Sequence, residues 1–289
     1  MKHRAQKKRL YQDVEFLTTL RPYRNFRNLG ALKKVCEYIS AVYRQLGLEV
    51  EEQTWTAAGN EYKNIITSFN KSAKRRLVVG AHYDVWDDQP GADDNASAVA
   101  GLLETVRLVV ENQPSLDYRI DFVAYCLEEP PFFGTDEMGS YVHAKSLYDQ
   151  KADVIGMICY EMIGYFSDEP NSQPFPSQEM ARQYPSTANF IIVVGVDQYK
   201  DFARRVHQLM RETAGIDVQF ISFPNAYSLA GMSDHLNYWQ FGYPALMIND
   251  TAFIRNPNYH TKSDTIDTLD FDKIPEVVNG TYHAVTGMG

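Results

Sequence analysis

The chain has 289 residues, a length that suits one large globular domain with a substantial core. Its formal net charge of −9 argues against nucleic acid or an anionic membrane surface as a partner, and no run approaches the roughly 20 apolar residues of a membrane span. Three scattered cysteines argue against a disulfide scaffold or a zinc knuckle.

The opening segment, residues 1–12, is basic but lacks the apolar core of a signal peptide. We therefore expect a flexible N-terminal segment and a cytoplasmic protein. A chain from which a leader had been removed would look the same, and that protein would be exported. No repeat, low-complexity tract or linker interrupts the sequence, so we predict a single domain over residues 1–289. The sequence does not indicate an oligomeric state.

Helical periodicity over residues 31–50 predicts a first long helix that stops at Gly47. Downstream, apolar runs that predict strands alternate with helical segments. The predicted strands cover residues 61–69, 75–85, 118–129, 153–165, 189–196 and 243–250, and the predicted helices cover 95–112, 139–148, 201–215, 233–242 and 271–285. This order predicts a three-layer α/β/α sandwich with a central mixed, largely parallel β-sheet.

Acidic and histidine side chains follow four of the predicted strands. His82 ends one strand, Glu128 and Glu129 end the next, Glu161 ends a third, and His260 comes shortly after a fourth. In sheets of this kind, functional groups gather beyond the carboxyl ends of the strands. The pattern therefore predicts a site at that edge.

Each of these positions also has an ordinary structural explanation. His82 and Asp84 lie on one face of the pleat, which is typical of a metal ligand held by a carboxylate but also of a hydrogen-bonded core histidine. Asp94, in "PGADDNAS", could be a ligand or an acidic residue at a helix N-terminus. One acid at a strand end is commonly solvated, but three acidic clusters at three strand ends are harder to explain that way.

Taken together, these side chains suit one or two divalent metal ions. Zinc is the first choice, with cobalt or manganese as substitutes in a carboxylate-rich site. Two such ions carry about +4, which would offset about −3 from the carboxylates and leave the site near neutral once a hydroxide binds. The candidate ligands are His82, Asp94, Glu129, Glu161 and His260.

Six short motifs occur in the order found in one known family. These are "GAHYD", "PGADDNAS", "EE" followed by "GS", "EMIG", "SDH" and "HT..DT". Over residues 13–285 the chain resembles the M28 metallopeptidases, the zinc aminopeptidases related to bacterial leucyl aminopeptidase. Any one motif alone is weak, whereas the ordered set is specific.

The resemblance implies a zinc-dependent hydrolase that removes N-terminal residues from peptides, with two zinc ions per chain. One zinc would be bound by His82 and Glu161 and the other by Glu129 and His260. Asp94 would bridge the two ions, and a metal hydroxide would attack the scissile carbonyl. The substrate would be a peptide with a free N-terminus.

The resemblance also implies different roles for the two adjacent glutamates. Glu129 would hold a metal, while Glu128 would be the general base that takes a proton and passes it to the leaving amine. Asp84 would orient His82. The family further implies a cis peptide bond between Asp94 and Asn95.

The chain departs from the family pattern in three places. Ala230 stands where bacterial members often carry a tyrosine thought to assist the oxyanion, and Tyr227 is a nearby substitute or a loop aromatic. Glu161 replaces an aspartate that is common among these aminopeptidases. The insert at residues 130–140 is longer than the simplest pattern, and we expect it to shape the pocket.

Several polar and thiol side chains receive structural explanations. Asp234 and His235 match the family but are expected to be structural, and Asp264 is expected to order a loop. Cys126 and Cys159 are expected to be small buried hydrophobes, with a bridge between neighbouring strands as the alternative.

Two other functions stay open. A glutaminyl-cyclase-like acyltransferase acting on N-terminal glutamine would belong to the same fold, but those relatives use one zinc and an altered bridging motif, whereas "GADDN" keeps the dinuclear form. A non-catalytic interaction module of the same fold would be expected to lose ligands, and here the full set is present.

Overall fold

The computed structural model describes residues 2–226 and 228–289. The strands are β1 (Glu51–Ala57), β2 (Asn60–Phe69), β3 (Arg76–His82), β4 (Arg119–Tyr125), β5 (Val154–Glu161), β6 (Phe190–Val196), β7 (Asp217–Phe223) and β8 (Ala245–Asn249). The helices are α1 (Lys7–Thr19), α2 (Leu29–Gln45), α3 (Ala98–Asn112), α4 (Gly139–Asp149), α5 (Gln178–Gln183), α6 (Lys200–Thr213), α7 (His235–Gln240) and α8 (Ile274–Thr286).

All of these strands join one sheet in the order β1-β2-β4-β3-β5-β8-β6-β7. The central strands β4, β3, β5 and β8 are parallel neighbours, and β6 pairs in parallel with β7. The other three pairings are antiparallel. The mixed, largely parallel sheet predicted from the sequence is therefore confirmed.

Helices cover both faces of the sheet. Helices α1, α2, α3, α6 and α8 pack over one face, and α4 and α7 pack over the other. With both faces covered, the central strands are buried almost throughout, which explains why they appear in the sequence as apolar runs. This arrangement confirms the predicted three layers.

The N-terminal segment differs from the expectation. From Lys7 onward it belongs to α1, and Leu10 is fully buried. Arg9 forms ion pairs with Glu104 and Glu111 of α3, so the basic residues at this end bind the helical layer. No helix among the described residues is both long enough and apolar enough to cross a bilayer.

Three further elements, β1, β7 and α5, were not predicted from the sequence. β1 and β7 are the two edge strands of the sheet, and their side chains are largely exposed or half-buried, so neither carries a clear apolar pattern. α5 has no buried residue.

Cys126 and Cys159 are free and buried. Cys126 directly follows β4 and Cys159 lies in β5, and β3 lies between these two strands in the sheet. The expectation that the two strands are neighbours was therefore wrong.

We predict that Gly80→Ala destabilises the fold whereas Gly30→Ala does not. A Cβ at Gly80 in β3 would lie 2.2 Å from the ring of Tyr125, whereas a Cβ at Gly30 in α2 would meet nothing within 4 Å. Overpacking of this kind costs about 1–3 kcal/mol in the free energy of unfolding. Gly30→Ala should leave that energy unchanged or raise it by up to about 1 kcal/mol. Urea denaturation of both variants measures the difference, and equal losses would contradict the account.

Candidate metal centre

The carboxyl ends of the four central parallel strands carry the candidate side chains. His82 is the last residue of β3 and Glu161 the last residue of β5. Glu128 and Glu129 follow β4, and His260 lies in the loop after β8. The four strands are adjacent in the sheet, which brings side chains distant in sequence to one edge.

The structure brings all of these side chains together with Asp94. Three groups each have ligand atoms within 4.8 Å of one another. They are His82 with Asp94 and Glu161, His82 with Glu128 and Glu129, and Asp94 with Glu129 and His260. His82, Asp94 and Glu129 each belong to two of the groups, and the family resemblance implied the bridging position for Asp94.

Each histidine nitrogen lies close to more than one carboxylate oxygen, as the ligands of a shared cation do. His82 Nε2 lies 3.5 Å from Asp94 Oδ1 and 3.4 Å from Glu161 Oε2. His260 Nε2 lies 3.0 Å from Asp94 Oδ2 and 3.3 Å from Glu129 Oε2. Yet His82 Nε2, His260 Nε2 and Glu129 Oε1 are buried without a hydrogen-bond partner among the described residues. Buried polar atoms are rarely left unpaired, so these donors fit divalent metal ions.

Asp84 holds the main chain of the glutamate pair. Its two carboxylate oxygens accept hydrogen bonds of 3.2 Å from the backbone N–H groups of Glu128 and Glu129. The Nδ1 atom of His82 lies 3.2 Å from the backbone oxygen of Asp84 and 3.6 Å from its carboxylate. Asp84 therefore contacts His82 as predicted and also fixes the segment that carries Glu128, which the sequence did not indicate.

Asp264 orders the loop that carries the shared aspartate. Its carboxylate accepts hydrogen bonds from the backbone N–H groups of Asp93 and Asp94, at 2.9 and 3.1 Å. This is the loop-ordering role that the sequence suggested. The peptide bond between Asp94 and Asn95 is cis, as the resemblance implied.

Hydrogen bonds and aromatic stacking fix two further candidate ligands. The Ser233 hydroxyl donates a 2.6 Å hydrogen bond to Glu161 Oε2, which Asn95 also reaches at 3.2 Å. The ring of His260 stacks on Tyr259 at 3.8 Å and on Trp86 at 4.9 Å between centroids. The contacts of Glu161 with Ser233 and Asn95, and of His260 with Trp86, join residues far apart along the chain, so the sequence did not indicate them.

Burial and neighbouring charges raise the pKa values of three side chains in this cluster, so that they bind protons more tightly than usual. Burial raises the pKa of Glu129 to about 8, and the Asp94 carboxylate adds to the rise. Burial also raises the pKa of Glu128 well above its usual value, against the attraction of His82. For His260, burial alone would lower the pKa, but the close carboxylates of Asp94 and Glu129 raise it to about 10. A bound cation would displace these protons.

The remaining motif residues lie outside the three groups. Asp234 is fully buried, and burial raises its pKa to about 7. The His235 ring contacts the carbonyl of Ala230 at 2.5 Å between Nε2 and O. Tyr227, the candidate for oxyanion assistance, falls outside the residues that the structure describes.

An apolar pocket lies beside the cluster. Glu161 and Tyr259 form part of its wall, so the pocket is continuous with the candidate metal centre. The insert at residues 130–140, which we expected to shape the pocket, does not line it; its Phe132 packs against Phe26 and Tyr62 instead. The apolar lining comes from Phe175, Met180, Tyr184, Ile192, Val194, Ile221, Phe223, Leu229, Met232, Met247, Phe253 and Ile254.

Comparison with known proteins identifies the family. The chain belongs to peptidase family M28, whose model matches residues 64–285. It is therefore a member of a family of peptide hydrolases that are generally metal-dependent.

Two curated relatives illustrate the range of similarity. The uncharacterized protein YfbL of Escherichia coli K12 is 41% identical over 284 residues, which cover 96% of this chain and 86% of that protein. Leucine aminopeptidase 1 of Blastomyces gilchristii is 25% identical over 72% of this chain. The aligned part spans only 51% of that enzyme.

Solved structures share the fold. The Legionella pneumophila LapA aminopeptidase superposes with a TM-score of 0.78 at 20% identity, covering 98% of this chain and 72% of that one. A glutaminyl cyclase from Porphyromonas gingivalis superposes with a TM-score of 0.74 at 20% identity, covering 99% of both chains. The fold alone therefore does not choose between these two reactions.

We predict that the protein without bound metal becomes less stable as the pH rises from about 5 to about 10. Glu129 and His260 bind their protons more tightly in the folded chain than in the unfolded chain, because their pKa values are raised to about 8 and about 10. This contribution is complete at low pH and is lost as the pH rises through the folded pKa values.

Melting temperatures measured across that pH range with a chelator, and then with excess zinc, provide the test. Zinc should remove most of the slope, because the metal takes the place of the protons. Glu129→Gln should also flatten the slope measured with chelator. An identical pH dependence with and without zinc would contradict this assignment.

Proposed function

We propose that this chain is a zinc-dependent aminopeptidase that removes an apolar N-terminal residue from peptides. The observation that supports this best is the pair of ligand groups that share Asp94, with Glu128 beside them and an apolar pocket adjoining. The relatives named leucine aminopeptidases agree with removal of residues from a free N-terminus. The proposed place of action is the cytoplasm.

The proposed metal ligands follow from the two groups that share Asp94. His82, Asp94 and Glu161 would hold one ion, and Asp94, Glu129 and His260 would hold the second. Zinc suits these nitrogen and oxygen donors, and cobalt or manganese would be substitutes. When bound, such ions polarise a carbonyl group and lower the pKa of a coordinated water to about 7.

Glu128 is the proposed proton carrier. Its carboxylate is buried, lies 3.8 Å from His82 Nε2, and has a pKa raised well above the usual glutamate value. A base with a raised pKa can accept a proton from the attacking water and return it to the leaving amine at near-neutral pH. Asp84 keeps Glu128 in place through the backbone hydrogen bond described above.

The apolar pocket is the proposed binding site for the side chain of the first residue. Among the described residues, its walls carry mainly aromatic, aliphatic and methionine side chains, with the uncharged polar Gln173, Asn249 and Thr251. These lining residues include no Lys or Arg and one carboxylate, Glu161, which belongs to the candidate metal centre. Burial of an apolar side chain there would contribute about 1.5–3 kcal/mol to binding. We therefore expect leucine, methionine or phenylalanine to be preferred over charged residues.

Glutaminyl cyclisation is the alternative that the assays must exclude. The sharing of Asp94 by two ligand groups supports a dinuclear centre, whereas the cyclase alternative predicts one zinc per chain. Zinc content together with product analysis on an N-terminal glutamine peptide separates the two.

We predict that Glu128→Gln abolishes peptide hydrolysis while keeping the metal. The variant retains the shape of the side chain but cannot accept a proton, so kcat should fall by about 100-fold or more. Zinc per chain, measured by elemental analysis, should stay at the wild-type value. The exposed Glu169→Gln is the matched control and should keep full activity on aminoacyl-fluorophore substrates.

Two results would overturn this proposal. Wild-type protein that binds no divalent metal and gains no activity from added zinc would exclude the metal-dependent reaction. Bound zinc without turnover of any aminoacyl substrate would retain the metal centre but exclude the aminopeptidase reaction, and cyclisation would then be tested.

We predict that Ile221→Trp narrows the preference for the first residue. Ile221 lines the pocket, and the larger indole would fill it, so kcat/KM for leucyl and phenylalanyl substrates should fall at least about 10-fold while the alanyl substrate is less affected. Phe220→Trp is the matched control, because Phe220 on the same strand packs on the opposite face. A uniform loss for all substrates in Ile221→Trp would contradict the pocket assignment.

A further inference from the structure

Arg24 is a buried cation that has no hydrogen bond to a carboxylate within the described part of the chain. Its side chain is fully buried, and its four hydrogen bonds all go to main-chain carbonyl oxygens. A buried charge is costly, and arginine is usually buried against a carboxylate. The sequence gives no hint of this, since Arg24 sits among other basic residues in "RPYRNFRN".

Three of the four acceptors lie at the two ends of the loop between two proposed ligands, His82 and Asp94. Arg24 Nε donates to the carbonyl of Tyr83 at 2.9 Å, directly after His82. The two terminal nitrogens donate to the carbonyls of Pro90 at 2.5 Å and Gly91 at 2.6 Å, three to four residues before Asp94. One planar guanidinium thus spans the start and the end of residues 83–91, which form no helix or strand.

Neighbouring contacts tie this loop to the helical layer. The fourth hydrogen bond of Arg24 goes to the carbonyl of Leu17 in α1, at 3.1 Å. Asn25 donates a 2.7 Å hydrogen bond to the carbonyl of Asp87, and Arg27 forms an ion pair with the same residue. The segment around Arg24 therefore holds the loop at its ends and at its middle.

Carboxylates near Arg24 favour its charged form at a distance. Burial lowers the pKa of Arg24 to about 10, while the carboxylates of Asp264, Asp94, Asp84 and Glu129 oppose that fall. Arg24 therefore stays protonated at neutral pH and keeps all of its donors.

We propose that Arg24 is a positioning residue of the metal centre, which sets the place of Asp94 relative to His82 by joining the two ends of the loop between them. The inference rests on the proposed metal centre but not on the aminopeptidase reaction. Lysine in its place would keep the charge but cannot reach three carbonyl groups in one plane. We call the three hydrogen bonds from Arg24 to Tyr83, Pro90 and Gly91 the clamp. The site requires these hydrogen bonds and not only the positive charge.

Zinc affinity of Arg24→Lys and Arg24→Met, measured by competition with a chromogenic chelator at 25 °C, tests the proposal. Both variants should bind zinc at least about 10-fold more weakly than wild type, which is the range for losing a residue that orients a ligand. Arg107→Met is the matched control, because Arg107 is an arginine with an 11% exposed side chain that contacts Asp13 and Glu104 instead. It should lower the melting temperature without changing zinc affinity.

Each outcome decides the question. Wild-type affinity in both Arg24 variants, or in Arg24→Lys alone, would overturn the clamp. An equal loss of affinity in Arg107→Met would attribute the effect to general destabilisation and would also overturn it. If Arg24→Met does not fold, Arg24→Lys carries the test, and failure of both to fold would assign Arg24 to the fold instead. Wild-type protein that binds no zinc would refute the metal centre itself, which is a different result.

Discussion

Repulsion among carboxylates in one buried cluster is the constraint on which the rest of this site depends. Asp94, Glu128, Glu129 and Glu161 are each no more than 6% exposed, and they converge within a few ångströms. Carboxylates so placed must share protons or bind cations, because burial removes most of the water that would stabilise their charge. The proposed pair of divalent ions would meet that need and would also pair the histidine nitrogens, so the charge balance and the geometry support the same proposal.

The surroundings of the cluster are arranged so that the main chain holds the ligands in place. Asp84 accepts backbone N–H groups from the glutamate pair, and Asp264 does the same for the loop that carries Asp94. Arg24 complements them by donating to backbone carbonyls of that loop. Such contacts preorganise the donor atoms, which reduces the entropy lost when a metal binds.

The central strands and the candidate ligands could be predicted because their signals are local or ordered along the chain. Buried parallel strands appear as apolar runs, and His82 and Glu161 stand at the ends of two of them. What could not be predicted depends on contacts between distant residues, such as the bonds from Glu128 and Glu129 to Asp84 and the clamp made by Arg24. The edge strands β1 and β7 and the pocket helix α5 were missed because exposed elements carry little apolar pattern.

The most direct test of the metal centre is a crystal structure of the zinc-loaded protein with diffraction data collected on both sides of the zinc absorption edge. The account predicts two anomalous peaks, one contacting His82 and Glu161 and the other Glu129 and His260, with Asp94 touching both. A single peak would contradict the shared role of Asp94 and would favour the mononuclear alternative. A map without a peak at these residues would contradict the metal centre altogether.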